Sequence, residues 1–165
     1  MKQVEFMSAL AFYPVYSAAG LALQVIYPRE TVTLEITLPT AVRQACRSFA
    51  LDRKALSNAA KFVSGRPHLT PLPLCLDKTF GPLKVHTPKV PGDPAYGYFL
   101  IQAIVRIEKS KDGSEVLLKN GTSVQIAQAK NVALTHMARA ILFERAFWSK
   151  RLGTSYYVDR QESGL

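Results

Sequence analysis

The sequence has few acidic residues, only two cysteines and no long uninterrupted apolar stretch. Only 12 of its 165 residues are Asp or Glu, against 21 Lys or Arg, which gives a net charge of +9. Its two cysteines, Cys46 and Cys75, form no CxxC pair, so the chain lacks the disulfide framework of small secreted proteins. No stretch reaches the roughly 20 uninterrupted apolar residues of a membrane span. We therefore expect a cytoplasmic protein with no membrane partner.

An apolar segment near the N-terminus, residues 6–27, needs a separate interpretation. Its composition faintly resembles a signal peptide, with Lys2 before it. Glu5 places a negative charge in the region that is positively charged in a signal peptide, and Pro14 interrupts the apolar run. We therefore expect this segment to belong to the folded protein.

Motifs for catalysis, cofactor binding and metal binding are missing from the sequence. None of His68, His86 and His136 stands at metal-ligand spacing from another His, Cys or acid. The sequence has no nucleophile elbow, no Walker loop and no dinucleotide-binding glycine pattern. We expect no enzyme activity, no cofactor and no metal ion.

The composition, with 48% hydrophobic and 20% charged residues, is typical of a folded globular protein. The length suits one domain, which we place at residues 1–148, followed by a polar, flexible tail at 149–165. Pro and Gly recur through residues 64–97, which predicts a long loop region with short edge-like strands. Alternation of apolar residues predicts a hairpin over residues 21–38, with its turn at 28–30.

Three further strands are predicted over residues 98–127. A long run at 98–109 is followed by an Asp112-Gly113 turn, a strand at 115–119, an Asn120-Gly121 turn and a strand at 122–127. Asn-Gly favours a type I′ turn, in which both central residues have positive φ. The pattern predicts a three-stranded antiparallel meander.

Helical spacing predicts helices at residues 41–49, 53–63 and 131–147, the first capped by Thr40 and the last by Asn131. In the first helix, four apolar residues share a face: Val42, Ala45, Cys46 and Phe49. In the last helix, the predicted buried stripe is Leu134, Met137, Ala138 and Ile141. The predicted fold class is α+β, an antiparallel meander with two or three helices.

Positive charge is concentrated in residues 41–91, which hold nine basic and two acidic side chains. Because phosphates attract Lys and Arg and repel acids, such a segment favours a nucleic-acid partner. Arg43 and Arg47 are four residues apart on one helical face, where they could contact successive phosphates. Arginine also suits the narrow minor groove of A·T-rich DNA. The candidate DNA-binding residues are Arg43, Arg47, Arg53, Lys54, Lys61, Arg66, Lys84 and Lys89.

The order of several short motifs resembles the competence transcription factor ComK family. The motifs are CRSF at 46–49, PLPL at 71–74, VHTP at 85–88, VLLKNG at 116–121, and a final helix that begins NVAL at 131–134. The resemblance covers residues 21–148. It implies an activator that binds A·T-rich boxes in duplex DNA, chiefly through the minor groove, as a homo-oligomer. By position, Arg47 and Arg139 match family arginines, which adds Arg139 to the candidates.

The sequence departs from this family at several positions. Tyr96-Gly97-Tyr98 stands where the family tends to have a tryptophan, and His136 stands where it tends to have a second arginine. The tail carries no motif for a proteolytic adaptor, so we do not expect that partner. Two alternatives stay open: a LytTR-type DNA-binding output domain, and a basic interaction module for an acidic protein partner.

Overall fold

The computed structural model describes residues 2–64 and 69–153, with side chains of the first range described up to residue 61. In these ranges the fold is α+β, which confirms the predicted class. The helices are α1 (Leu38–Ser48), α2 (Arg53–Ser64) and α3 (Lys130–Leu152). The strands are β1 (Ala11–Ser17), β2 (Gly20–Ile26), β3 (Thr31–Leu34), β4 (Leu72–Cys75), β5 (Lys78–Lys84), β6 (Tyr96–Leu100), β7 (Ile104–Ser110), β8 (Gly113–Leu118) and β9 (Ser123–Ile126).

Six strands form one sheet in the order β3-β2-β1-β6-β5-β4, and every neighbouring pair is antiparallel. The apolar N-terminal segment becomes the interior of this sheet, because β1 pairs with β2 on one side and β6 on the other. A strand that is covered on both faces has no polar side, so its sequence lacks the alternation that identifies a half-exposed strand.

The predicted meander is confirmed as the second sheet, in the order β7-β8-β9. The predicted type I′ turn is wrong. Asn120 does not have positive φ, and only Gly121 does, at +88°. The Gly121 N–H donates to the Leu118 carbonyl oxygen over 2.9 Å, and the Asn120 side chain accepts from the Thr122 N–H over 3.0 Å. The Asn120 side chain therefore stabilises the turn without adopting a left-handed conformation itself.

The single strand predicted over residues 98–109 is also wrong, because a 3-10 helix at Ile101–Ala103 divides it. Before this helix, β6 pairs with β1 and β5 in the six-stranded sheet. After it, β7 pairs with β8 in the other sheet. One continuous stretch of chain thus contributes a strand to each sheet.

The beginning of α1 lies closer to the strands than predicted. β3 ends at Leu34, and the helix begins at Leu38 with Pro39 in its first turn, where a missing N–H costs little. Thr37, not Thr40, is the N-cap, and its Oγ1 accepts from the Thr40 N–H over 3.4 Å. The predicted hairpin of β2 and β3 is confirmed, with its turn closed by a Tyr27–Glu30 backbone hydrogen bond.

The Pro/Gly-rich region is more ordered than predicted where it is described. β5 is an interior strand between β6 and β4, not an edge strand, and its Phe80 and Leu83 are fully buried. β4 pairs with β5 only as far as Phe80, so Pro82 has no partner residue in β4 that would need its missing N–H.

Two hydrophobic cores lie on opposite faces of the six-stranded sheet. On one face, α1 and α2 cover a cluster that includes Phe12, Phe80 and Tyr98. On the other face, Leu83 and Phe99 pack against the three-stranded sheet and the first half of α3. Successive side chains of β6 point to opposite faces of the sheet, so Tyr98 packs in the first core and Phe99 in the second.

The buried face of α3 differs from the predicted stripe. The helix buries Ala133, His136, Met137, Ala140 and Phe143, whereas Leu134 and Ile141 are 45% and 38% exposed. Leu142 and Ala138 are exposed as well. The predicted stripe is therefore wrong except at Met137.

The boundaries of α3 also differ from the predicted ones. The helix begins at Lys130 with Ala129 as N-cap, so Asn131 is not the cap. It extends to Leu152, into the predicted tail, and the rest of that tail from residue 154 lies outside the described residues. No helix in the described ranges has the length and apolar character needed to cross a bilayer.

Candidate nucleic-acid interface

A polar groove runs along the exposed side of α1. It has a volume of about 310 Å³ and is lined by Gln3, Thr40, Arg43, Gln44, Arg47 and Ser48. The structure therefore brings the predicted pair of arginines together in one groove. Its other residues carry neutral hydroxyl and amide groups, which donate weaker hydrogen bonds to anionic oxygens than the two guanidinium groups do.

The groove follows from the amphipathic pattern of α1. Val42, Ala45 and Cys46 are buried under the helix, which leaves Arg43 and Arg47 on the exposed side. The Arg43 guanidinium Nη2 donates to Thr40 Oγ1 over 3.2 Å, which restricts that long side chain. Within the described ranges neither arginine forms an ion pair with a carboxylate, so their charge is not neutralised.

The N-terminal segment forms the second wall of the groove. Gln44 fixes it, because its Nε2 donates to the Lys2 carbonyl oxygen over 3.2 Å and its Oε1 accepts from the Val4 N–H over 3.4 Å. Gln3, between those two residues, faces the groove. The wall on the α1 side could have been found from sequence, since Thr40, Gln44 and Ser48 repeat every four residues beside the arginines. Gln3 could not, because its position depends on a contact 40 residues away.

A second group of predicted residues lies on α2. Arg53 and Lys54 are exposed in its first turn, and Lys61 is exposed in its last. The short connection at residues 49–52 separates this group from Arg47 at the end of α1. The basic residues of α2 therefore follow those of α1 in the chain after four residues, one of which is the exposed acid Asp52.

Lys84 and Lys89 form a third group, at the end of β5 and in the loop that follows it. This loop, residues 85–95, is held by Tyr16, whose hydroxyl donates to Asp93 Oδ2 and accepts from the Lys89 N–H, both over 2.8 Å. The Lys89 ammonium lies 4.8 Å from the Tyr16 ring centroid. Sequence analysis missed Tyr16, which shapes this loop from 70 or more residues away.

The remaining two candidates do not join these groups. Arg139 on α3 is only partly exposed and lines a small, mostly apolar cavity with Ala60, Leu69 and Phe143. That setting offers a phosphate less access than the α1 groove does. Arg66 lies outside the described residues.

Other site chemistry in the described ranges is sparse. No group of three His, Cys, Asp or Glu residues is placed to hold a metal ion. Cys46 is buried, and that burial raises the pKa of its thiol although the Arg53 charge opposes the shift. A buried thiol with a raised pKa is a poor nucleophile.

Comparisons with known proteins add no relative to this description. No protein-family model, curated protein or solved structure matches the chain. The resemblance to the ComK family therefore stays a prediction.

Proposed function

We propose that the protein is a ComK-like transcription regulator that binds A·T-rich duplex DNA, largely through the minor groove, and acts as a homo-oligomer in the cytoplasm. The observation that carries the proposal is the α1 groove, where Arg43 and Arg47 stand without carboxylate partners among hydroxyl and amide donors. DNA-binding proteins use this combination of residues to contact successive phosphates.

The loop after β5 supports minor-groove binding. At its tip, Val90 is 57% exposed beside Pro91 and the charged Lys89. Proteins that bend DNA from the minor groove insert an apolar side chain between base pairs and place cations beside it. The anchoring of this loop on Tyr16 restricts its conformations before binding, which lowers the entropic cost of binding.

The test is a fluorescence-anisotropy titration with A·T-rich duplex, G·C-rich duplex and single-stranded DNA at two salt concentrations. We expect tightest binding to the A·T-rich duplex. The double variant Arg43→Gln/Arg47→Gln should lower that affinity by about 10- to 100-fold and reduce the slope of log K against log salt by about 2, because two phosphate contacts are lost.

A matched control removes the same charge elsewhere. Lys109 at the end of β7 and Lys111 in the turn after it are exposed, away from the α1 groove, and neither forms an ion pair among the described residues. The variant Lys109→Gln/Lys111→Gln should change the affinity by less than about threefold. Equal losses in the two double variants would mean that only net charge attracts DNA, and no binding to any DNA at low salt would refute the proposal.

A second candidate function, docking of an acidic protein partner, is favoured by the outer face of α3. Leu134, Ile141 and Leu142 are exposed there, with Arg145 one turn further along the same face. An apolar stripe beside a cation suits an amphipathic acidic helix. Substitution of Ile141 and Leu142 by Gln would abolish such docking and leave DNA binding unchanged, which separates the two functions.

A further inference from the structure

A partly open pocket of about 180 Å³ lies between α1, α2 and the sheet, apart from the α1 groove, with the exposed Arg53 among its lining residues. Its apolar walls are formed by Val42, Leu56 and Leu72. Its polar groups come from Arg53, Ser57, Thr70 and Tyr98. Pockets that bind small molecules combine these two features, an apolar lining and a few convergent polar groups.

Tyr98, whose phenol is a hydrogen-bond donor, lines this pocket. The residue is 9% exposed, and burial raises the pKa of its phenol to about 12, although the Arg53 charge acts in the opposite direction. The phenol is therefore protonated at neutral pH. A protonated hydroxyl donates to a carboxylate oxygen.

Arg53 supplies a positive charge to the same pocket. Its guanidinium forms no ion pair with a carboxylate among the described residues. The neighbouring carboxylate of Asp52 is engaged elsewhere, since its Oδ1 accepts from the Ala55 N–H over 2.8 Å at the start of α2. An arginine next to a buried donor binds an anionic oxygen more strongly than a neutral one.

The volume of the pocket limits the size of its ligand. At 180 Å³ it is below the range of about 300–1,000 Å³ that is usual for drug-sized ligands. It equals the liquid volume of about six water molecules. A compact ligand with one charged group and a small ring or branched chain would fill it.

We propose that this pocket binds a small carboxylate with a compact apolar body, its carboxylate held by Arg53 and Tyr98 and its apolar part packed on Leu56 and Leu72. This binding site does not depend on DNA binding by α1 and would stand if that function were refuted.

Benzoate is a suitable probe, and benzamide is its neutral counterpart of nearly the same shape. We would titrate each into the full chain by isothermal calorimetry at constant ionic strength, and follow the leucine methyl signals by NMR. Benzoate should bind saturably with a dissociation constant on the order of 1 mM, and shifts should concentrate at Leu56 and Leu72. Benzamide should bind at least about tenfold more weakly.

Three variants test which side chains contribute to benzoate binding. Arg53→Gln should weaken benzoate binding by about tenfold or more, and Tyr98→Phe by about three- to tenfold. Lys54→Gln is the matched control, because it removes a neighbouring exposed cation that does not line the pocket, and it should bind benzoate normally. Equal affinity for benzoate and benzamide, full binding by Arg53→Gln, or no saturable binding up to about 20 mM would each overturn the proposal.

Discussion

Two helices of this protein, α1 and α3, both pack against the six-stranded sheet, but they divide buried from exposed residues in different ways. α1 buries Val42, Ala45 and Cys46 and exposes Arg43 and Arg47, so charge marks its outer side. α3 exposes the larger aliphatic residues Leu134, Ile141 and Leu142 and buries small ones such as Ala133 and Ala140.

The close approach of α3 to β5 explains this difference. A Cβ atom built at Gly81 would lie 2.7 Å from Met137 Cε and 3.3 Å from Ala140 Cβ. Gly81 and Ala140 allow this close approach, and a larger residue at position 81 would require the Met137 side chain to move. The need for small residues at this contact therefore helps to set the buried face of α3, which Met137 and Phe143 complete, whereas hydrophobicity alone accounts for the buried face of α1.

The largest expected effect tests which face of α3 is buried, and it uses two adjacent residues. Phe143 is 3% exposed and Leu142 is 57% exposed. Phe143→Ala should lower the free energy of unfolding by about 3–5 kcal/mol through lost burial and the cavity left behind. Leu142→Ala should lower it by less than about 0.5 kcal/mol. Chemical denaturation followed by circular dichroism measures both, and similar losses would mean that α3 packs through the other face.

A second test concerns the side of the sheet covered by α1 and α2. The pKa of Tyr98 rises from 10.0 to about 12 because the phenol is buried. Its protonated form therefore contributes stability that is complete below about pH 10 and is lost as pH rises through about 12. The loss should be about 2–3 kcal/mol.

Tyr98→Phe provides the reference for that test, since it cannot ionise. Its stability should fall less than that of the unchanged protein between pH 10 and 12, and the difference between the two curves isolates Tyr98 from lysine titration. Parallel curves would show that the phenol is exposed to solvent and that the helices do not cover it as described.

The smallest expected effect compares two thiols. Cys46 is buried under α1, whereas Cys75 is partly exposed at the end of β4. Alkylation of Cys46 requires local opening and is slowed further by the raised pKa of its thiol. Mass spectrometry of the native protein should show Cys75 modified more than about tenfold faster. Equal rates would mean that α1 opens readily.

Sequence alone could predict the parts of this fold that depend on neighbours in the chain. The meander of β7, β8 and β9 is marked by its turns, and α1 and α2 by their spacing. The division between β6 and β7 could not be predicted, because the residues around Ile101–Ala103 include neither Gly nor Pro. What bends the chain there is the pairing of β6 with β1, about 90 residues earlier.

The candidate interface shows the same limit. The four-residue spacing of Arg43 and Arg47 predicted their shared face, and the groove contains both. The charge of residues 41–91 suggested a single surface, but folding distributes it over α1, α2 and the loop after β5. Local spacing is preserved in a helix, whereas the proximity of distant basic residues depends on tertiary contacts that charge does not specify.

The position of α3 in the chain has a consequence for synthesis. Phe143 belongs to the core under α1 and α2, while Ala133 and Met137 belong to the core between the sheets. Of the described elements, α3 leaves the ribosome last. During translation the strands of both sheets therefore leave the ribosome before their final covering, and their apolar residues are open to chaperones until α3 has emerged.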